Sequence, residues 1–160
     1  MFFRKKHAKK EQTTTTATET QKPAEEGTLN LEDMIQACDH YAGTENEEFL
    51  VTLLADSLLN GANGIQKNYA LALTYYQRLS KLNPVAGQCG MGKAYIAIGL
   101  QDDDRMQFCL GVNKVYEAYV NGSDDAKSML AFIAESGLFE NVSTLDEMIR
   151  FCRQNNTVVA

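Results

Sequence analysis

One short pattern recurs along the chain at a nearly constant interval. Leu54-Ala55, then Leu58, then Gly61 lines up with Met91-Gly92, Tyr95 and Gly99, and again with Leu130-Ala131, Ala134 and Gly137. The first step is 37 residues and the second is 39. A second set of positions keeps the same phase: Leu79 to Asn83, followed by Ala86, matches Ala118 to Gly122, followed by Ala126. Intervals of this size belong to arrays of helix-turn-helix units, in which each unit hides its apolar face only against its neighbours. The expected fold is therefore all-α: a short α/α superhelical solenoid of about three helix-turn-helix repeats, with an extra helix at the N-terminal side.

The hydrophobic spacing within the units is helical. Asn30 is placed to cap a first helix carrying Leu31, Met34, Ile35, Cys38 and Tyr41 on one face, closed by Gly43. A second helix begins among the acids Glu45 to Glu48, buries Phe49, Leu50, Leu53, Leu54 and Leu58, and stops at Gly61. A third runs from Asn68 to Lys81 with Tyr69, Ala72, Leu73, Tyr76 and Leu79 on one stripe, and Asn83-Pro84 breaks it. Further helices are expected over about 85–98, ending at Gly99, over 103–120, and over 124–136, ending at Gly137. A last one, capped by Ser143 or Thr144, reaches about Gln154. No alternating strand pattern competes with this reading.

The stretch GANGIQKNYALALTYYQR, from Gly61 to Arg78, resembles the core of a Sel-one-like repeat, a relative of the tetratricopeptide repeat. That pattern has a Gly-x-Gly-Val turn, an Asp-Tyr pair, a Lys-Ala pair and a Trp-Tyr-x-Lys end. Here Ile65 stands for Val, Asn68 for Asp, Leu71 for Lys, Tyr75 for Trp and Arg78 for Lys, with one extra residue between the glycines. The second unit departs from the pattern between Gln101 and Lys114, and the third is a remnant. The resemblance covers about residues 47–154. It implies an adaptor that binds a protein or peptide on a concave face lined by the first helix of each pair. Carried over residue by residue, that face comprises Thr52, Asp56, Cys89, Lys93, Ile96, Ser128, Phe132 and Glu135. The extra helix, Leu31 to Tyr41, is expected to cap this groove or to occupy it.

Charge divides the chain in two. The total is −6 over 160 residues, yet residues 1–28 carry six cations and four anions whereas residues 29–160 carry nine and 17. An acidic body is a poor match for nucleic acid, because phosphate neutralisation needs a basic surface. Residues 1–28 open with Phe2, Phe3 and a run of Arg and Lys, then turn to Thr, Glu and Gln with little to bury, so a disordered tail is expected. No apolar stretch of signal-peptide length follows the basic start, which points to a cytoplasmic location. A membrane-surface regulator, with residues 1–10 touching anionic lipid, is an alternative reading.

Several motifs imitate catalytic ones. Gly87 to Ala94 (GQCGMGKA) fits G-x-x-x-x-G-K, but a phosphate-binding loop needs a hydroxyl where Ala94 stands, and a strand before it. A small enzyme or nucleotide binder would have to use Lys93 with Asp102, Asp103 and Asp104, a run more simply read as a helix-start cluster. The cysteines at 38, 89, 109 and 152 are scattered and are expected as free core thiols. Cys38-x-His40 lacks the second ligand pair of a zinc site, so neither metal nor cofactor is expected. Tyr75, Tyr76 and Tyr95 are expected as packing residues. The leading expectation is a non-enzymatic protein-protein interaction scaffold.

Overall fold

A computed structural model describes residues 30–156 of the chain. The expectations placed on residues 1–28, disorder and lipid contact, fall outside the described residues. The described chain is all-α, with α1 Leu31–His40, α2 Glu47–Asn60, α3 Tyr69–Leu82, α4 Pro84–Gln101, α5 Arg105–Val120, α6 Asp124–Glu135 and α7 Leu145–Asn156. Each helix packs on the next, α5 also meets α7, and α2 meets α4. The pairs α2–α3, α4–α5 and α6–α7 are the three repeats.

Local chemistry fixes most of the boundaries. Asn30, Asn68, Asn83, Asp104 and Ser123 each accept a backbone N–H from the first turn of the helix that follows, satisfying donors that have no intrahelical partner. The recurring phase is visible in these caps: Asn83 accepts from Ala86 and Ser123 from Ala126. Gly61 ends α2 at φ 70°, a left-handed conformation that a side chain disfavours. A single extended residue, Asn83, joins α3 to α4, and Pro84 occupies the first turn of α4, where its missing N–H costs nothing.

Helix α4 is the spine of the array. It packs on α3 along one side and on α5 along another, its only charged or amide side chains are Gln88, Lys93 and Gln101, and its glycines fall on two stripes. Gly87 and Gly90 face α3: a Cβ at Gly87 would lie 2.3 Å from the Ser80 nitrogen, and one at Gly90 would lie 2.1 Å from the Tyr76 ring. Gly92 and Gly99 face α5: a Cβ at Gly92 would meet Val115 at 2.6 Å, and one at Gly99 would meet the Phe108 nitrogen at 2.5 Å. Gly111 answers from α5, where a Cβ would sit 2.6 Å from the Gly92 oxygen. The phosphate-loop lookalike is thus a superposition of two packing stripes inside one helix.

Two expectations are corrected. Helix α4 does not stop at Gly99 but continues to Gln101; Gly99 is there for close approach, and the turn falls to Asp103, which takes φ 55°, a conformation Asp tolerates. Phe49 is not buried but 68% exposed. It lies three residues before Thr52 and seven before Asp56, on a different stripe from the buried Val51, Leu54 and Leu58.

The extra helix α1 packs on the outer end of the first pair, where Met34 and Cys38 join the core of α2 and α3. Arg78 of α3 secures it. Its guanidinium donates to the Cys38 carbonyl at 2.8 Å, to Asp39 Oδ1 at 2.8 Å and to Glu47 Oε1 at 2.8 Å. Glu47 also accepts the Gly43 N–H at 2.6 Å, so one carboxylate ties the α1–α2 turn to α3.

Candidate functional site

A groove of about 340 Å³ runs across the first helices of the three pairs. Helix α2 contributes Thr52 and Asp56, four residues apart and therefore on one face. Ala86, Cys89, Gly90 and Lys93 of α4 form the middle, with Tyr76 and Leu79 of α3 beneath. Ser123 and Asp125 close it at the start of α6, and Asn83 lies at the α3–α4 junction. No residue of α1 lines it, so the extra helix caps the array without occupying the groove.

Each polar group in the groove has a defined partner. The Tyr76 hydroxyl donates to Asp56 Oδ1 at 2.6 Å. The ring below is 2% exposed and reaches that position because Gly90 has no side chain. Burial, then the Asp56 carboxylate, push the Tyr76 hydroxyl far above its ordinary range. Lys93 Nζ pairs with Asp125 Oδ2 at 2.5 Å, and the Cys89 thiol donates to the same oxygen at 3.5 Å. Burial raises the Cys89 pKa to about 11, against the opposing influence of Lys93. Asn83 bridges two elements: its amide nitrogen donates to Glu48 Oε1 at 2.8 Å while its oxygen caps α4.

Of the eight residues expected on the concave face, Thr52, Asp56, Cys89 and Lys93 meet in this groove. Ile96 is 4% exposed and belongs to the core of the second half of the array, packed on Gly111. Ser128, Phe132 and Glu135 are exposed and continue along α6 beyond the groove lining, with Phe132 at 67%. Sequence reasoning missed Tyr76 as a groove residue, together with Asn83, Ser123 and Asp125. The phase of the caps held a signal for Ser123 and Asp125, since they follow Ala118 to Gly122 just where α6 begins.

Lys93 and the aspartate run do not converge. Lys93 lines the groove, whereas Asp102 lines a separate depression with Lys67, Asn68 and Tyr69. Nine residues of helix separate them, about 13 Å along the axis. Asp104 is engaged as a cap by the N–H groups of Met106 and Gln107. Cys38 is buried in the core and His40 stacks edge-on against Tyr41. Among the described residues, no group of three or more His, Cys, Asp or Glu side chains is placed to hold a metal ion, and no helix is long and apolar enough to cross a membrane. Compared with protein-family models, with curated proteins and with solved structures, the chain matches none.

Proposed function

We propose that this protein is a non-enzymatic interaction scaffold of the Sel-one-like, tetratricopeptide-related kind, binding a peptide segment of a protein partner in the groove formed by α2, α4 and α6. The observation that carries the reading is the meeting of Thr52, Asp56, Cys89 and Lys93, drawn from two different repeats, along one groove. The chemistry of the lining favours binding over reaction. The amine of Lys93 is held in an ion pair and the Cys89 thiol is kept protonated by burial, so the two candidate nucleophiles rest in their least reactive forms. Exposed Phe49 and Phe132 lie on the groove-side stripes of α2 and α6, and aromatic anchors of this kind are common hot spots in interfaces.

Affinity capture from native lysate tests the proposal. The full chain is compared with a Thr52→Trp variant, which fills the groove, and a Phe132→Ala variant, each checked for helical content. A partner held by the full chain and released by Thr52→Trp supports the groove. Equal capture by all three moves recognition to another face and overturns the proposal.

A further inference from the structure

The two layers of the array differ in charge. The first helices of the pairs, α2, α4 and α6, carry six carboxylates (Glu47, Glu48, Asp56, Asp124, Asp125 and Glu135) and two lysines, Lys93 and Lys127. The second helices, α3, α5 and α7, carry three carboxylates and six cations. Two of the six first-layer acids are neutralised in place, Glu47 by Arg78 and Asp125 by Lys93. The other four have no ion-pair partner among the described residues.

Helix-dipole preference accounts for acids in the first turns of α2 and α6, but not for Asp56, which lies ten residues into α2. Its Oδ1 is held by Tyr76 and its side chain is otherwise exposed in the groove. The one cation lining the groove, Lys93, is spent on Asp125. Asp56 is therefore an oriented carboxylate with nothing positive opposite it. A groove of about 340 Å³ is at the small end of ligand sites and matches a long side chain entering from an extended backbone.

We infer that the groove's ligand is a basic peptide segment of a partner protein, one of whose Lys or Arg side chains pairs with Asp56 while the segment lies along the acidic first-helix layer. This rests on the peptide-binding reading above. Electrostatic complementarity of this kind selects partners by charge and speeds their encounter.

The test is selection of a random dodecapeptide phage library on the full chain, followed by titration of the most enriched synthetic peptide. Three variants are compared. Asp56→Asn keeps an acceptor for Tyr76 while removing the charge, and lowers affinity about tenfold. Lys93→Met frees the charge of Asp125 and raises affinity several-fold, a sign opposite to loss of a contact. Asp146→Asn, on the outer layer, changes nothing. Affinity also falls as salt rises. Enriched peptides that are neutral or acidic, or that lose binding in Lys93→Met, overturn the charge assignment while leaving the groove as the binding site if Thr52→Trp still abolishes binding. No enrichment, or binding indifferent to Thr52→Trp, overturns the groove and the charge assignment together.

Discussion

Tyr76 and Asp56, twenty residues apart on facing helices, are joined by a 2.6 Å hydrogen bond that links the core to the groove. The ring fills the first half of the core and its hydroxyl alone reaches the surface. Tyr76→Phe keeps the ring and removes one donor to an exposed carboxylate. The expected loss is about 1 kcal/mol, a fall in Tm of about 3 °C. Tyr76→Ala removes the ring as well and costs about 3–5 kcal/mol. Urea melts of the two variants check this. Losses of similar size would mean that the hydroxyl, and not the ring, holds the site together.

The glycines of α4 test the packing directly. Replacing an exposed helical glycine by alanine gains about 1 kcal/mol from propensity. At Gly90 the new methyl would lie 2.1 Å from a ring that is 2% exposed and has nowhere to move. At Gly111 it would lie 2.6 Å from backbone atoms of α4. Overpacking of this kind costs about 1–3 kcal/mol, so steric conflict wins and both variants are expected to melt lower than wild type. A rise in Tm for either would show that α4 stands further from its neighbours.

How legible was this in the sequence? The cap Asn30, the Asn83-Pro84 break and the Gly61 turn each act through their own first or last turn, so spacing alone located them, whereas Asn68, read as the first residue of its helix, is its cap. Gly99 did not yield to the same logic, because a glycine that ends a helix and a glycine that lets two helices touch look alike in sequence. Phe49 misled for a related reason: near a helix start it falls close to two stripes, and only the placement of α1 and α3 against α2 decides which is buried. The groove was half legible. Thr52, Asp56, Cys89 and Lys93 follow from the resemblance, which implies a concave face on the first helix of each pair, but Tyr76 enters from the second helix of a pair. Its hydroxyl reaches the groove only because Gly90 opens the way. The Arg78 clamp joins residues 31 and 39 positions apart, a separation at which no local pattern operates.

That clamp gives the protein a pH-dependent end. The Gly43 N–H, then Arg78, hold the Glu47 carboxyl below its ordinary range. The Ser143 N–H and hydroxyl, with the Thr144 side chain, do the same for Glu147. A folded value below the unfolded one, about 4.3, means that the unfolded state takes up protons first. The stabilisation is therefore complete above that value and is lost as pH falls through the depressed one. Tm followed by circular dichroism should decline steeply below about pH 4. The decline should be shallower in Glu47→Gln, which starts from a lower plateau. Arg78→Met should release α1, seen as faster amide exchange across Leu31–His40 with α5–α7 unchanged. Identical pH profiles for wild type and Glu47→Gln would remove Glu47 from the clamp.

Thiol labelling reads the groove floor without any ligand. Burial raises the Cys38 pKa despite the nearby Arg78, and pushes Cys89 to about 11 and Cys152 to about 12. At pH 8 the thiolate fraction is then about one in a thousand for Cys89 and about one in ten thousand for Cys152. Both side chains are also enclosed, at 2% and 1% exposure. Cys109, on α5, is half-buried. Iodoacetamide at pH 8, with the sites located by mass spectrometry, should therefore modify Cys109 first and leave the other three until the chain unfolds in urea. Lys93→Met removes the one cation that favours the Cys89 thiolate, and so should slow that site further. If Cys89 were instead modified as fast as Cys109, the floor between α3 and α4 would have to open in solution. The groove would then be a mobile cleft, and the fixed orientation of Asp56 by Tyr76 would no longer hold.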